Sequence, residues 1–267
     1  MRRRYGAFVA LAFALVIVPA GAGWARAQSG QEGQQKFDIE ESKAIKEQNE
    51  RVMASDALIA QYNTAVQNKQ WQQAADLVKQ IIALNPDMWT YRQGLGTALM
   101  NLGQYDDAIK AFDAGIKLAQ TELQSKPPDS EAAKAKTGLG MMLANEGNAY
   151  LKMKKNDLAI AAYTKAAELD PNPAVAYFNL CATQYNIGNT DGALAACDKA
   201  IAADPKKADA YFIRGSLLIA SSTTDAKGKV IAPAGTVEAL KKYLELAPDG
   251  PHAVEVKEML EYVGVKQ

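Results

Sequence analysis

The sequence predicts an all-α solenoid built from repeated pairs of helices. The first observation is a repeated phrase: Ala74, Ala159 and Ala193 each stand twelve residues before the proline of an Asn-Pro or Asp-Pro pair. The second is its period, because Ala193 follows Ala159 by 34 residues and Ala108 follows Ala74 by the same step. The third is composition, since helix-forming residues dominate and strand-like alternation is almost absent outside residues 221–236. A period of this length indicates stacked hairpins that bury their apolar faces against their neighbours.

The first 27 residues have the pattern of a secretory signal peptide. Three arginines at positions 2–4 precede an apolar run at 7–18, which is short for a membrane span. Ala25-Arg26-Ala27 then forms an A-x-A cleavage site. We therefore expect an exported bacterial protein, periplasmic or secreted, with an uncleaved membrane anchor as the alternative interpretation. Residues 28–37 are polar and glycine-rich, which predicts a disordered linker.

The charge balance argues against a nucleic-acid scaffold. The full chain carries 30 basic and 30 acidic residues, and removal of residues 1–27 takes away four arginines and no acidic residue. The mature chain would then have a net charge of −4, whereas binding to nucleic acid calls for a basic stripe. No second apolar stretch approaches the length of a membrane span, so we expect none after cleavage of the signal.

Each repeat unit follows one pattern of large and small residues. Its first helix carries a large residue, a Leu-small pair and another large residue; its second helix carries an alanine, a large residue four positions later and a closing proline. Short side chains allow two antiparallel helices to approach closely, and proline ends the second helix. The clearest matches are Leu95, Gly96, Leu99, Ala108 and Phe112 in one unit, and Gly147, Tyr150, Ala159, Tyr163, Ala166 and Pro171 in the next.

This pattern resembles the tetratricopeptide repeat, whose signature is W-x2-L-G-x2-Y, A-x3-F and P. The resemblance implies a right-handed superhelix of about five units within residues 38–267. The units fall at about 55–88, 89–128, 129–173, 174–207 and 208–248, with an insertion at 221–236 and a capping helix at 250–264.

The chain departs from the regular pattern in two places. The second unit lacks its closing proline, so we expect its second helix to run on until Pro127-Pro128. The next helix would then begin at Asp129-Ser130, where either side chain could cap free N–H groups. The insertion in the last unit, with a turn-like segment at 225–228, predicts a short hairpin or an ordered loop.

Few residues suggest covalent chemistry or metal binding. Cys181 and Cys197 lie on the two helices of one unit, and they form either a structural disulfide or two reduced, buried small side chains. His252 is the only histidine, and we expect it to be exposed at the start of the last helix. A catalytic triad or a histidine metal site would need partners that the sequence lacks. We therefore expect no catalytic, metal or cofactor site.

In the tetratricopeptide family the first helices line a concave groove, and its positions can be transferred to this chain. The transfer implies a groove rich in amides towards the N-terminus and aromatic towards the C-terminus, suited to an extended peptide and its apolar side chains. For Phe178 and Phe212 the alternative is packing between repeats. The candidate groove residues are Asn63, Gln67, Gln93, Thr97, Asn101, Asn148, Lys152, Phe178, Tyr185, Asn186, Phe212 and Ser216.

These patterns favour a non-catalytic scaffold that binds another protein or a peptide segment in the cell envelope. A receptor for a small ligand or glycan is the first alternative. An enzyme with its site in the insertion is the second, and its chemical groups would be Asp225, Lys227 and Lys229. The sequence leaves open the identity of the partner, the pathway and the oligomeric state.

Overall fold

The computed structural model describes residues 53–265 and, before them, Lys43, Lys46 and Glu50, which are helical. The chain divides into two compact units, residues 1–54 and 55–267. The predicted signal peptide and linker lie outside the described residues. The helices of the described part are α1 (53–67), α2 (Trp71–Leu84), α3 (Trp89–Asn101), α4 (Tyr105–Gln124), α5 (Asp129–Lys152), α6 (Asn156–Leu169), α7 (Ala174–Asn186), α8 (Thr190–Ala203), α9 (Ala208–Ala220), α10 (Thr236–Leu246) and α11 (Ala253–Tyr262).

The helices stack in sequence order, which confirms the predicted all-α solenoid. From α2 onwards each helix contacts the next one, and α3 also contacts α5 while α7 contacts α9. In these two cases the first helices of successive units are therefore neighbours. The buried residues form three clusters along the array, centred on α1–α3, on α3–α7 and on α7–α11. Such a linear core is expected where each unit contacts only its neighbours. No helix in the described part of the chain combines the length and apolar character that crossing a membrane requires.

The same backbone turn ends the first helix of four units. A residue with positive φ occupies the equivalent place in each: Lys69, Gly103, Lys154 and Gly188. The following N–H group donates to a carbonyl five residues back at 2.8–2.9 Å, in pairs such as Gln104 to Leu99. This is the Schellman geometry, which satisfies the last carbonyls of a helix and favours glycine at the left-handed position. Gly103 and Gly188 therefore lie where a first helix ends, and a lysine takes the same place in the other two units.

A close contact across two of the hairpins explains the small residue of the signature. Gly96 lies directly against the ring of Phe112. In the next unit an added Cβ on Gly147 would lie 2.6 Å from Cε1 of Tyr163. Both rings are fully buried, so glycine is needed here because any side chain would displace the ring.

The two long helices, α4 and α5, lie where the sequence predicts them, but the N-cap of α5 is a different residue from the one predicted. Helix α4 ends at Gln124, Lys126 takes a positive φ, and α5 begins after the two prolines. The expectation that Asp129 or Ser130 caps α5 is wrong. The N-cap is Pro128, which offers no side-chain acceptor, and Asp129 lies inside the first turn, where its charge favours the helix dipole.

The insertion forms a small antiparallel hairpin. Strand β1 (Thr223–Thr224) pairs with β2 (Val230–Ile231). The carboxylate of Asp225 accepts hydrogen bonds from the N–H groups of Lys227 and Lys229 at 2.8 and 2.9 Å, and Gly228 has a positive φ. Asp225 therefore stabilises the turn of the hairpin.

The last helix covers the end of the array, and it changes the interpretation of His252. The imidazole of His252 stacks on Phe212, with ring centroids 3.7 Å apart, and its backbone N–H donates to the Tyr243 hydroxyl at 3.0 Å. The side chain is 36% exposed. The predicted exposure of His252 is therefore only partial, because the turn before α11 folds His252 back onto α9 and α10.

Candidate functional site

A cavity of about 280 Å³ lies between α3 and α5, and we call it the α3–α5 groove. Two neighbouring first helices form it, and the start of α4 contributes one residue. Five of its six lining residues carry a polar group, and it brings together three of the residues predicted from the sequence, Thr97, Asn101 and Lys152. The complete lining is Thr97, Met100, Asn101, Tyr105, Asn145 and Lys152.

The polar groups of this groove are oriented by their own helices. The Thr97 hydroxyl donates to the Gln93 carbonyl at 3.0 Å, and Asn101 Nδ2 donates to the Thr97 carbonyl at 2.8 Å. Lys152 is exposed and forms no ion pair within residues 53–265. An amide oxygen and an ammonium group are thus free to bind a partner, and Met100 supplies an apolar surface beside them. Such a lining suits an extended peptide with polar groups.

Other predicted groove residues lie on the same first helices with different neighbours. Gln93 reaches α5, with its Nε2 4.0 Å from Sδ of Met141. Asn148 is partly buried, and its Oδ1 accepts a hydrogen bond from the Tyr163 hydroxyl at 2.7 Å. Burial raises the pKa of Tyr163 strongly, so this hydroxyl stays a donor. Asn148 therefore holds the hairpin of α5 and α6 together. On α1, Asn63 and Gln67 are exposed.

The aromatic residues predicted at the C-terminal end of the groove differ in how far they are exposed to a partner. Tyr185 and Asn186 are exposed at the end of α7. Phe178 is half-buried, and the Lys207 ammonium lies 4.6 Å from its ring centroid, a cation–π contact.

Two predicted groove residues of α9 differ in exposure. Phe212 is only 8% exposed and lies under His252. The Ser216 hydroxyl donates to the Phe212 carbonyl at 2.9 Å and lies 4.0 Å from Sδ of Met259. Phe212 therefore takes the packing role given as its alternative, because His252 covers it, whereas Ser216 is half-buried.

Sequence reasoning missed half of the groove lining and a second cavity. Met100, Tyr105 and Asn145 line the groove, yet their positions in the repeat carried no separate signal. The second cavity has a volume of about 450 Å³ and lies between α8, α9 and α10. Its lining residues are Asp198, Ile201, Tyr211, Arg214, Gly235, Glu238, Ala239 and Lys242.

Arg214 organises this second cavity. Its Nε donates to Asp198 at 2.7 Å, and its Nη1 donates to the Gly235 carbonyl at 3.1 Å. Gly235 is the N-cap of α10 and has φ of 84°. Arg214 thus joins α8 to the end of the inserted segment. A charged residue next to a signature glycine, Gly215, was the sequence signal that could have revealed this contact.

A second ionisable residue occupies the corresponding place two units earlier. Glu146 precedes Gly147, is 7% exposed, and its Oε1 has no hydrogen-bond partner in the part of the chain that the structure describes. Burial, together with the neighbouring Asp113 carboxyl, raises the pKa of Glu146 to about 8. A carboxyl group with this pKa is largely protonated at neutral pH.

Comparison with known proteins decides the family. Models of the tetratricopeptide repeat match residues 65–136, 141–173 and 183–226, which together make up more than half of the chain.

This chain belongs to the tetratricopeptide repeat family.

Solved tetratricopeptide structures are similar in fold. The chain aligns with MamA from Desulfovibrio magneticus RS-1 at a TM-score of 0.54 and 19% identity, over 74% of this chain and 97% of that one. It aligns with PilW, described as a widely conserved type IV pilus biogenesis factor, at 0.55 and 16%, over 87% and 94%. It aligns with YrrB, described as having an unusual peptide-binding site, at 0.50 and 20%, over 74% and 88%.

A curated relative covers a smaller part of this tetratricopeptide protein. The human small glutamine-rich tetratricopeptide repeat-containing protein beta is 39% identical over 62 residues, or 23% of this chain. The match spans a fifth of the length of that relative. It supports the identification of the repeat and says nothing of the rest of either protein.

Comparison with the family signature shows that Glu146 and Arg214 occupy a position where leucine is usual. Leucine precedes the small residue in the tetratricopeptide signature, and the chain keeps it at Leu95 and Leu180. Glu146 and Arg214 stand at that place in two other units. Both are therefore polar substitutions at a position that normally packs between repeats. Within the described residues no group of three or more His, Cys, Asp or Glu side chains is placed to hold a metal ion.

Proposed function

We propose that this protein is a non-catalytic interaction module that binds an extended segment of another protein in the α3–α5 groove. The observation that carries the proposal is the convergence of Thr97, Asn101 and Lys152 on one cavity between two first helices. Amides and a lysine can pair with the polar groups of a peptide, and Met100 and Tyr105 can contact its apolar side chains.

Two similar structures support this class of function. The description of YrrB names a peptide-binding site, and PilW is described as a biogenesis factor for an assembled structure, the type IV pilus. An array of helical hairpins offers an extended surface for this kind of binding.

We further propose that the protein acts in the bacterial cell envelope after export. The support is the signal-peptide pattern of residues 1–27 together with the disulfide between Cys181 and Cys197. Disulfides persist in oxidising compartments such as the periplasm and are rare in the cytosol.

Site-specific photocrosslinking in envelope extract tests the proposal. A photoreactive amino acid is placed at Asn101 in the groove and, as a matched control, at the exposed Lys117 of α4. We expect a discrete crosslinked partner from position 101 only, and its loss in the Lys152→Glu variant. Equal products from both positions, or a product that Lys152→Glu leaves unchanged, would contradict binding in the groove.

The second cavity favours a different candidate function, a receptor for a small ligand. Its volume of about 450 Å³ and its mixture of Tyr211, Ile201 and the Arg214 guanidinium would accommodate a ligand of mixed polarity. Thermal-shift measurements with cell-wall fragments test this function, since a ligand of the native state raises the unfolding temperature. A shift that disappears in Arg214→Ala would favour the receptor, and no shift with any fragment would argue against it.

A further inference from the structure

The second cavity is built from one face of each of three helices. On α8 its residues Asp198 and Ile201 are three positions apart, and on α9 Tyr211 and Arg214 have the same spacing. This spacing places each pair on one side of its helix. The α10 face follows the same rule with Gly235, Glu238, Ala239 and Lys242. Two second helices, α8 and α10, thus form its walls, whereas two first helices form the α3–α5 groove.

The floor of the second cavity is apolar. Ala239 is buried, and Ile201 and Tyr211 are half-buried, with their accessible sides in the cavity. A ligand side chain that covers these residues leaves water and gains free energy in proportion to the apolar area buried. We therefore expect the ligand to carry at least one apolar side chain.

The charged groups of the lining balance each other. Arg214 and Lys242 are cationic, and Asp198 and Glu238 are anionic. Charges of opposite sign at different places in one cavity are complementary to a ligand that also carries both signs. This arrangement favours a zwitterion over a simple cation or anion.

Glu238 is the lining charge that lacks a partner of its own. Arg214 Nε lies 2.7 Å from Asp198 Oδ1, and Lys242 Nζ lies 2.6 Å from Glu245 Oε1. Glu238 is exposed and forms no ion pair with the described part of the chain. Its carboxylate is therefore available to an ammonium group of a ligand.

Arg214 keeps N–H groups that the protein does not use. Its Nε donates to Asp198 and its Nη1 to the Gly235 carbonyl, whereas its Nη2 donates to no other residue that the structure describes. Arginine N–H groups bind carboxylates in strong, charge-assisted hydrogen bonds. Because the two existing bonds already fix the guanidinium, a carboxylate would bind it without the cost of ordering a mobile side chain.

These two binding groups are separated by nearly one turn of α10. Arg214 is bonded to Gly235, and Glu238 follows Gly235 by three residues, a rise of about 4.5 Å along the helix. A single amino acid carries its ammonium and carboxylate on one Cα, whereas two extended residues span at most about 7 Å. The separation therefore suits the two ends of a dipeptide.

We propose that the second cavity binds a free dipeptide with apolar side chains, whose ammonium group pairs with Glu238 and whose carboxylate pairs with Arg214. The proposal rests on the receptor function of this cavity and names its class of ligand. The side chains of the dipeptide lie on the apolar floor. A segment inside a longer chain carries neither terminal charge, so the cavity selects free dipeptides and differs in this from the α3–α5 groove.

Isothermal titration calorimetry of the full chain with the dipeptide Leu-Leu tests the proposal. N-acetyl-Leu-Leu lacks the ammonium group and Leu-Leu amide lacks the carboxylate, so each should bind about tenfold more weakly, the usual effect of losing a hydrogen bond to a charged group. Free leucine should also bind more weakly, because its charges are too close together. These comparisons use the parent chain alone and involve no change in its folding.

The variant Glu238→Gln locates the ammonium group. It should weaken the binding of Leu-Leu about tenfold and leave that of N-acetyl-Leu-Leu unchanged, because the acetylated peptide has no charge to pair with it. The matched control is Asp209→Asn, which removes an exposed acid from the first turn of α9 and should leave both affinities unchanged.

Equal affinities for Leu-Leu and its two blocked forms, or an unchanged affinity in Glu238→Gln, would overturn the proposal. Absence of Leu-Leu binding would also overturn it. If a cell-wall fragment still raises the unfolding temperature in an Arg214-dependent way, only the dipeptide is refuted and the receptor function stands. If neither kind of ligand binds, both fail together.

Discussion

The disulfide between Cys181 and Cys197 joins α7 to α8 at the place where a buried ring packs on glycine in other units. The two cysteines are fully buried and 16 residues apart. Cys181 corresponds to Gly147 in the repeat, and Cys197 corresponds to Tyr163. The two helices of a hairpin are thus held together at this place by a ring packed on glycine in one unit and by a disulfide in the next.

Removal of the disulfide should destabilise the protein by about 3 kcal/mol, the chain-entropy value for a loop of about 15 residues. Urea unfolding of Cys181→Ala/Cys197→Ala measures the effect. The double change Cys181→Gly/Cys197→Tyr copies the unit of Gly147 and Tyr163, so it should recover part of the loss. Equal stability of the parent chain with and without a reducing agent would show that the bond contributes nothing.

Lys154 should be a position where glycine stabilises the protein. Its φ is 59°, and the equivalent residue in the next unit is Gly188, with φ of 78°. A non-glycine residue in the left-handed region costs about 1 kcal/mol, which Lys154→Gly should partly recover as a higher unfolding temperature. The reverse change, Gly188→Lys, should lower it by a comparable amount. A stabilising effect of both changes would contradict the backbone argument.

The free energy of unfolding should fall as the pH rises from about 4.5 to about 8. The pKa of Glu146 is raised from 4.5 to about 8 in the folded protein, so in this range the folded chain holds a proton that the unfolded chain has released. The contribution of Glu146 is complete below pH 4.5 and is lost by pH 8, with a slope of at most about 1.4 kcal/mol per pH unit. Urea unfolding at several pH values measures it. The difference between the parent chain and Glu146→Gln isolates this residue, and parallel curves for the two would contradict the prediction.

Gly235→Ala should destabilise the last unit. Gly235 has φ of 84°, and an added Cβ would lie 2.9 Å from Nη1 of Arg214. We expect a loss of about 1–3 kcal/mol, the usual cost of a strained left-handed residue. Asp198→Ala is the matched control: it removes only the partly exposed salt bridge to Arg214, so it should cost under about 1 kcal/mol. The opposite order of the two losses in thermal unfolding would show that the salt bridge, and not the glycine, fixes α10.

The predictability of the site from sequence varied along the array for a physical reason. The first helices α3 and α5 keep the family positions near their C-terminal ends although α4 and α5 are lengthened, so Thr97, Asn101 and Lys152 could be placed on one surface by their positions alone, and they do line one cavity. At the C-terminal end the same transfer placed Phe212 and Ser216 in the groove. Phe212 is buried there because His252, in the turn before α11, stacks on it, and this turn and helix have no equivalent inside the array.

The periodic spacing of small and large residues was sufficient by itself to determine the hairpins, their order and their number, because each hairpin is stabilised by contacts between residues close in sequence. Proline, glycine and the inserted segment likewise marked where helices end. Only the tertiary structure decided which side chains are exposed, that Glu146 is buried without an ion partner, and that the α3–α5 groove stays open while α9 is covered. These properties depend on contacts between units, and the cost of burying a charge or the freedom of a side chain is set by all neighbours in space together.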